Sequence, residues 1–316
     1  MFIVLGVVAT KGGVGKTTIA ANLGGLLTDI GYRVLLIDAD VQPSLSRYFQ
    51  LSQVADNGLT RMIMAGALTQ DCISEVRLPP EGFRDNGAPL NTQGGVLHVV
   101  RSDTRDGRLQ EFLSNRIDRL VRIRMAIRNA NLSDRYDVVI IDTQGAVGHL
   151  QDAAVNASDL LITPVSPDII SAREFVNGTS MLLDRIESAV NLGYTVPAMR
   201  AVINRTERTT DSRVMADLIR DQFITLRARV TVLNTVIPSL AAYRKAAISQ
   251  IPVHWFDPKK TGDQMHALMW ELLPHLRGRF APNHRGVLDE ALIPPETPDI
   301  PVGASTERPD VSPKEE

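Results

Sequence analysis

A glycine-rich segment near residue 11 has the residue types needed to bind a chain of phosphates. It reads Lys11-Gly12-Gly13-Val14-Gly15-Lys16-Thr17-Thr18 and lies between an apolar run and a helical pattern. Gly12, Gly13 and Gly15 allow the positive φ angles that turn backbone N–H groups toward phosphate oxygens at a helix N-terminus. Lys16 is expected to contact the β- and γ-phosphates, and the Thr17 hydroxyl to ligate Mg²⁺. The segment therefore predicts a nucleoside triphosphate site.

Lys11 is the unusual residue of this loop. The common spacing has a glycine where this chain has Thr10, and it has no charged residue at the position of Lys11. A second ammonium group so close to the phosphates would neutralise charge in its own subunit or reach a nucleotide held by a partner subunit. Either possibility makes Lys11 a catalytic candidate.

Three aspartates follow apolar runs typical of buried strands. Residues 34–37 lead into Asp38 and Asp40, and the β-branched run 138–141 leads into Asp142. Asp142 stands where a carboxylate can hold Mg²⁺ through water beside the loop threonine. Taken alone, Asp38 and Asp40 could also cap a turn.

The loop with its early lysine resembles the deviant Walker A box of the ParA/MinD family of P-loop ATPases. In that family the early lysine contacts nucleotide across a sandwich dimer, so the resemblance implies that Lys11 is a dimer contact. It implies that Asp38 ligates a Mg²⁺-bound water and that Asp40 orients or deprotonates the attacking water. The chain departs from the family at Gln144-Gly145, where two prolines are usual.

Further matches extend the resemblance over about residues 1–280. Asn204 resembles the family's adenine-reading asparagine, although a strand-terminal asparagine can also be a turn residue. Ile237-Pro238 and the block 252–262 resemble the family's C-terminal segment, in which the Ile-Pro pair packs on adenine. The implied catalytic residues are Lys11, Lys16 and Asp40. The implied ATP contacts are Gly12, Gly13, Val14, Gly15, Lys16, Thr17, Thr18, Asn204 and Pro238. The implied Mg²⁺ site comprises Thr17, Asp38 and Asp142.

Basic residues in the C-terminal half are candidates for DNA contact. Arg213, Arg220 and Arg227 are seven apart on a predicted helix and could track backbone phosphates without reading sequence. An ion pair between Arg213 and Asp217, four residues apart on a solvated helix face, explains this stripe equally well. The resemblance adds Arg208, Arg244, Lys245, Lys259 and Lys260, so that with Arg213 and Arg220 of the stripe there are seven candidate DNA contacts. Ser239 replaces the arginine that the family has directly after Ile-Pro.

The resemblance implies a specific cycle of binding and release. ATP and Mg²⁺ would close a homodimer that binds nonspecific double-stranded DNA, and a ParB-like partner would stimulate hydrolysis and release. The protein is then expected to be cytoplasmic and nucleoid-associated. The alternative is a MinD-like membrane cycle, which needs a basic amphipathic C-terminal helix. Pro274 interrupts the only such segment and an acidic stretch follows it, so no membrane binding is expected.

Composition sets the remaining limits. The single cysteine, Cys72, excludes a disulfide framework and the two-cysteine cluster of the nitrogenase iron protein. No apolar run reaches the roughly 18 residues that would span a bilayer. Residues 281–316 contain seven prolines, eight acidic residues and three basic ones, a composition that buries little and predicts disorder. Residues 1–280 are therefore expected to form one ATPase domain that is mildly basic.

The motifs require a parallel sheet that brings strand ends together. Strands are predicted at 2–9, 33–38, 95–101, 138–141, 160–165, 199–204 and 231–236. Helices are predicted at 16–30, 44–50, 57–66, 108–131, 150–157, 171–191, 211–226 and 261–278. This alternation predicts an α/β P-loop NTPase fold, a doubly wound and mostly parallel sheet with helices on both faces. The Pro/Gly/Asn-rich stretch 79–95 is longer than an ordinary connection and is expected to be an insertion.

Overall fold

Apolar parallel strands form the centre of the molecule. The computed structural model describes residues 2–78, 84–85, 88–89, 95–104, 107–145, 148–168, 177–185, 187, 196–224 and 230–281. The strands are β1 (Ile3–Val7), β2 (Arg33–Ala39), β3 (Leu51–Gln53), β4 (Ser74–Val76), β5 (Arg84–Asp85), β6 (Ala88–Pro89), β7 (Val96–Val100), β8 (Val138–Thr143), β9 (Leu160–Val165), β10 (Ala198–Thr206) and β11 (Val230–Pro238).

Nine of these strands form one sheet in the order β11-β10-β9-β1-β8-β2-β7-β4-β3. The strands from β11 to β7 are parallel, whereas β4 and β3 add an antiparallel edge. Strands β5 and β6 pair separately. Strand β1 lies between β8 and β9, so chain order reverses beside it, and in such sheets ligands bind at the carboxyl ends of the strands near this point.

Helices cover both faces of the sheet. They are α1 (Lys16–Asp29), α2 (Leu59–Ala65), α3 (Arg108–Ser114), α4 (Arg122–Asn129), α5 (His149–Ala157), α6 (Thr210–Ile224), α7 (Ala241–Ile248), α8 (Val253–Phe256) and α9 (Thr261–Leu272). Residues 177–185 are also helical. Alternate residues of β1 enter opposite cores: Leu5 packs with α1 and α9, and Val4 with α2, α4 and α5. The predicted doubly wound P-loop fold is confirmed.

Two predicted helices are wrong in extent because local interactions interrupt them. Residues 44–50 form only a three-residue 3₁₀ turn, Leu45–Arg47, before β3. The Ser46 amide there donates to Asp38 instead of continuing a helix. The stretch 108–131 divides into α3, a 3₁₀ turn and α4, and Asp118 accepts hydrogen bonds from Arg116 and Arg122 at the break.

The last helix also ends earlier than predicted. Helix α9 stops at Leu272, and Pro274 starts a separate 3₁₀ turn because proline supplies no amide hydrogen to continue the ladder. Trp270 on this helix is buried in the core. The short elements β3, β4, α7 and α8 were not predicted, since each is too short for a periodic signal.

The remaining expectations fall partly outside the described residues. Of the predicted helix 171–191, only 177–185 and 187 are described. Most of the predicted insertion and nearly all of the acidic stretch lie outside the described residues. The ranges concerned are 79–83, 86–87, 90–94 and 282–316. Among the residues that are described, no helix has the length and apolar character needed to cross a bilayer.

Candidate nucleotide-binding site

Strand register alone brings the acidic residues of two motifs together. In the parallel pairing of β2 with β8, Asp38 lies opposite Asp142, and Asp142 lies opposite Val7 of β1. All three strands end here, and Lys11, the first residue of the glycine-rich loop, lies four residues beyond Val7. Both carboxylates are fully buried because they sit in the middle of the sheet. The three sequence motifs thus share one site at the sheet's carboxyl edge.

The loop glycines have different structural roles. Gly13 (φ 75°) and Gly15 (φ 98°) have left-handed backbone conformations, and Gly15 precedes the first turn of α1. Gly12 does not have positive φ, which corrects the expectation for that glycine. It is instead approached by Gly145, where an added Cβ would lie 2.7 Å from the Gly12 Cα. The backbone after β8 therefore packs directly on the loop.

Lys16 and Thr17 begin α1 beside the paired aspartates. The Thr17 hydroxyl donates to Asp142 Oδ2 at 2.6 Å. Lys16 is buried, and burial lowers its pKa, although Asp142 and then Asp40 oppose the shift. This places a helix N-terminus, an ammonium group and a hydroxyl next to two carboxylates, as a nucleotide with its metal ion would require.

The buried carboxylates fit a divalent cation. Burial is the main cause that raises the pKa of Asp142 to about 8, followed by the charge of Asp38. Burial also raises the pKa of Asp38 to about 6. Asp142 Oδ1 is buried and has no hydrogen-bond partner among the described residues. A Mg²⁺ ion would satisfy this oxygen and favour the ionised form of both groups.

The protein would supply only a few of the metal's ligands. Within the described ranges, no group of three or more His, Cys, Asp or Glu side chains is arranged to enclose a metal. Mg²⁺ usually keeps several waters and takes further oxygens from substrate phosphates. Thr17, Asp38 and Asp142 suit that arrangement better than an all-protein cage.

Two serines that sequence reasoning missed fix the geometry around Asp38 and Asp40. Ser46 donates to Asp38 Oδ2 from its amide (2.8 Å) and its hydroxyl (2.6 Å). The Ser102 backbone amide donates to Ser46 Oγ at 2.8 Å, and the Ser102 hydroxyl donates to the Asp40 carbonyl oxygen. Asp40 itself is half-exposed, unlike the fully buried Asp38. No motif marks these serines, because they reach the site from loops after β2 and β7.

The structure also brings Asn204 to the loop and places Pro238 on the neighbouring strand. Asn204 is buried at the end of β10 and pairs in register with Ile237, next to Pro238 on β11. Its amide nitrogen donates to the Val14 carbonyl oxygen at 2.6 Å. Asn204 therefore holds the phosphate loop, a contact that the sequence did not predict, and its adenine-reading role stays a prediction.

The other loop residues are arranged around this centre. Val14 is buried, Lys11 and Thr18 are half-exposed, and the Thr18 carbonyl accepts a hydrogen bond from Asn22. Gln151 of α5 is also missed by sequence reasoning. The side-chain amide of Gln151 donates to the Ala9 carbonyl oxygen (3.1 Å) and to the Gln144 carbonyl oxygen (3.4 Å). Gln151 therefore links the chain before the loop to the segment after β8.

The candidate DNA residues occupy two neighbouring segments. Arg208 follows β10 and Arg213 lies on α6, and both are exposed. Asp217 pairs with Arg220 at 3.2 Å, and not with Arg213 four residues before it as the sequence suggested, and Arg227 lies outside the described residues. The second segment holds Arg244, Lys245, Lys259 and Lys260, all exposed. The Ser239 amide donates to the Thr206 carbonyl (2.9 Å) and joins the two segments.

Comparison with known proteins assigns the family. A family model described as an AAA domain (AAA_31) matches residues 3–192, more than half of the chain. The chromosome partitioning protein ParA of Caulobacter vibrioides is 26% identical over 280 residues, which cover 88% of this chain and 96% of that protein. The chain belongs to this AAA domain family, within the ParA/MinD group.

Two further proteins are similar to the chain. A Rhizobium rhizogenes protein provisionally named replication protein A is 32% identical over 216 residues, 65% of this chain. This chain spans half the length of that relative. Among solved structures, the McdA–ATP complex of Cyanothece has a TM-score of 0.64 and 20% identity, covering 81% of this chain and 90% of McdA. That likeness shows the shared fold.

Proposed function

We propose that the protein is a ParA-type ATPase that uses Mg²⁺ and ATP to position a cargo on DNA. One arrangement carries this proposal: Lys16 and Thr17 at the start of α1 lie beside Asp142 at the end of β8. Lys16 and the loop amides would bind the β- and γ-phosphates, and Thr17, Asp38 and Asp142 would hold the metal. The metal, when bound, neutralises phosphate charge. ParA of Caulobacter vibrioides is named for chromosome partitioning, which supports the cargo role.

Asp40 is proposed to orient the attacking water. It is half-exposed, whereas the Ser46 hydrogen bonds and burial commit Asp38 to the interior. Only Asp40 of this pair can therefore accept a hydrogen bond from a mobile water at the γ-phosphate. Lys11 is proposed to contact nucleotide in a partner copy, so that the ATP state is a sandwich dimer.

The proposal is tested by separating ATP binding from hydrolysis. Asp40→Ala is expected to bind ATP and dimerise like the wild type, while its turnover falls by about 10²-fold or more. Lys16→Ala is expected to lose nucleotide binding altogether. Asp56→Ala, which removes an exposed carboxylate outside the site, is the matched control. Wild-type turnover by Asp40→Ala would show that another residue orients the water.

DNA binding in the ATP state is the second part of the proposal. The exposed residues Arg208, Arg213, Arg244, Lys245, Lys259 and Lys260, with Arg220, would contact phosphates and not bases. The ATP form should bind random duplex more tightly than the ADP form. Each lost phosphate contact should reduce the slope of log affinity against log salt by about 0.9. Arg208→Ala/Arg213→Ala should show this change, and Arg128→Ala on α4 should not.

A ParB-like partner is proposed to stimulate hydrolysis and so release the dimer. The alternative, a MinD-like membrane cycle, has less support because the apolar residues of the last helix are occupied. Met269 and Trp270 are buried in the core, with Trp270 3% exposed. Recruitment of the ATP form to anionic liposomes, together with equally weak DNA binding in both nucleotide states, would favour that alternative.

A further inference from the structure

A groove beside the last helices has a basic rim and an apolar floor. It is lined by Ala242, Lys245, Phe256, Asp257, Pro258 and Lys259 and has a volume of about 560 Å³. We refer to it as the α7–α8 groove. Phe256 is 39% exposed and supplies the aromatic surface of the groove.

The charges around the α7–α8 groove are not balanced by the fold. Lys245 and Lys259 are exposed, and neither forms an ion pair with another residue in the described part of the chain. Asp257 is the one acidic lining residue, and its Oδ1 accepts the Lys260 amide at 3.1 Å. Arg244 and Lys260 add further positive charge at the rim. The groove therefore suits an occupant that is both acidic and apolar.

The chain's own C-terminal stretch has that chemistry. Residues 287–300, the acidic segment, read Val-Leu-Asp-Glu-Ala-Leu-Ile-Pro-Pro-Glu-Thr-Pro-Asp-Ile. The segment contains four carboxylates, five large aliphatic side chains and no basic residue. Its three prolines restrict the backbone and so reduce the entropy lost on binding.

The chain leaves the described fold close to the groove. The Ala281 amide donates to His266 Nε2 at 3.1 Å, and His266 lies one turn of α9 from Gly262. The Gly262 amide in turn donates to the carbonyl oxygen of Asp257, which lines the groove, at 3.0 Å. The four residue steps from Gly262 to His266 rise about 6 Å along the helix. The eight residue steps from Ala281 to Asp289 can extend about 26 Å, enough to reach the groove.

We infer that the acidic segment binds the α7–α8 groove of the same molecule. Its aliphatic side chains would cover Phe256, and its carboxylates would pair with Lys245 and Lys259. A short tether raises the effective concentration to the order of millimolar, so weak contacts suffice. Lys245 and Lys259 are also proposed DNA contacts, so the bound segment would compete with DNA. Only this competition depends on the proposed function; segment binding does not.

Zero-length cross-linking tests the binding directly. The chain has six lysines, of which Lys11 and Lys16 are in the phosphate loop, Lys314 is near the C-terminus, and Lys245, Lys259 and Lys260 lie at the groove. Full-length protein, without DNA or nucleotide, is treated with a carbodiimide that joins carboxylates to amines in contact. Mass spectrometry should find amides within one molecule between residues 289–299 and Lys245 or Lys259.

Two matched variants of the C-terminal stretch control the experiment without changing the described fold. The first combines Asp289→Asn, Glu290→Gln, Glu296→Gln and Asp299→Asn. The second removes four distal charges through Glu307→Gln, Asp310→Asn, Glu315→Gln and Glu316→Gln. The first variant should lose these cross-links, and the second should keep them. A third variant, Lys245→Ala/Lys259→Ala with an unchanged C-terminal stretch, should also lose them. Cross-links only between molecules, only to lysines outside the groove, or none at all would overturn the inference.

The consequence for DNA is measured separately. The first variant should bind random duplex about three- to tenfold more tightly than the wild type in the ATP state, and the second should change affinity less. Equal affinities of both variants would refute the competition. If no form bound DNA, the proposed function would fail, and the cross-links would still decide where the acidic segment binds.

Discussion

At the scale of single residues, the site depends on close backbone approach as much as on charged side chains. Asp38, Asp142 and Lys16 supply charge, but Gly145 lets the segment after β8 contact the Gly12 backbone. The family has proline at this position, and the resemblance therefore gave no reason to single out Gly145. Its importance follows from the distance between the two backbones.

Gly145→Ala is expected to weaken ATP binding. The new Cβ would lie 2.7 Å from the Gly12 Cα and 3.1 Å from the Lys11 carbonyl carbon, and neither backbone atom can yield without moving the loop. Calorimetric titration with ATP should show at least a tenfold loss of affinity. Gly12→Ala is the matched control for folding, because its Cβ would meet nothing within 4 Å, and it should keep the wild-type Tm.

At the scale of elements, buried polar contacts attach the nucleotide-binding helix α1 to the C-terminal helices. Asp29, in the last turn of α1, accepts hydrogen bonds from His254 Nε2 at 2.5 Å and from Trp255 Nε1. In the middle of the helix, Asn22 accepts the Val253 amide at 2.6 Å and donates to the Tyr48 hydroxyl. These contacts hold α8 and the adjoining groove against the phosphate-binding half of the fold.

Asp29→Ala is expected to destabilise the protein by about 2–5 kcal/mol. It leaves two buried donors, on His254 and Trp255, without their acceptor. Thermal unfolding followed by circular dichroism should show a clear drop in Tm. Trp255→Phe removes one of the donors and keeps most of the apolar volume, so it should cost less. A larger loss for Trp255→Phe than for Asp29→Ala would contradict this explanation.

A histidine on β7 makes stability depend on pH. His98 Nδ1 forms a 2.7 Å hydrogen bond with the Tyr136 hydroxyl. Burial is the main cause that lowers the pKa of His98; the charge of Glu75 opposes this shift, and the charge of Arg135 adds to it. Below a pH of about 6.5 the unfolded chain binds more protons at His98 than the folded chain, so stability falls with decreasing pH. More than about one unit above that pH, His98 is neutral in both states and this contribution is constant.

The pH effect is measured by comparing variants. The free energy of unfolding by urea should decrease between about pH 7.5 and 5.5, and the decrease should be smaller in His98→Gln, which cannot titrate. Burial also lowers the pKa of His275, so His275→Gln should reduce the decrease as well and is measured separately. An identical pH profile for His98→Gln and the wild type would exclude His98 as a source of the effect.

At the scale of the whole molecule, the residues after α9 complete the core. Phe280 packs edge-on against Trp270 with ring centroids 5.1 Å apart, and the Trp270 indole donates to the Arg279 carbonyl oxygen at 3.1 Å. Arg279 also donates to the Ile30 carbonyl oxygen at the end of α1. The ATPase domain is therefore proposed to end at about residue 281, close to the boundary that composition predicted.

Two truncations test this boundary. A chain ending at Ala281 should keep the wild-type Tm, because it retains the contacts of Trp270, Arg279 and Phe280. A chain ending at Arg277 removes these contacts and should lose several degrees, since each kcal/mol shifts Tm by about 2–4 °C in a domain of this size. Equal Tm values for the two truncations would place the boundary before residue 278.

The sequence by itself determined the fold class and the chemistry of the loop. Strand periodicity and the residues from Lys11 to Thr18 are local signals, and the parallel sheet follows from the alternation of strands and helices. Sequence failed where tertiary contacts decide. Examples are the helix predicted at 44–50, which Asp38 prevents by binding Ser46, and the helix end at Leu272.

Only the tertiary structure placed the residues of the candidate site relative to one another. The register of β2, β8 and β1 sets Asp38 beside Asp142, because every strand in a parallel sheet ends at a common edge. The same packing revealed Ser46, Ser102, Gln151 and the loop contact of Asn204. Ser102, Gln151 and Asn204 reach partners 56 to 190 residues away in the chain, and no sequence pattern marks these contacts. The sequence identifies the residue types, whereas tertiary packing determines which residues far apart in the chain contact each other.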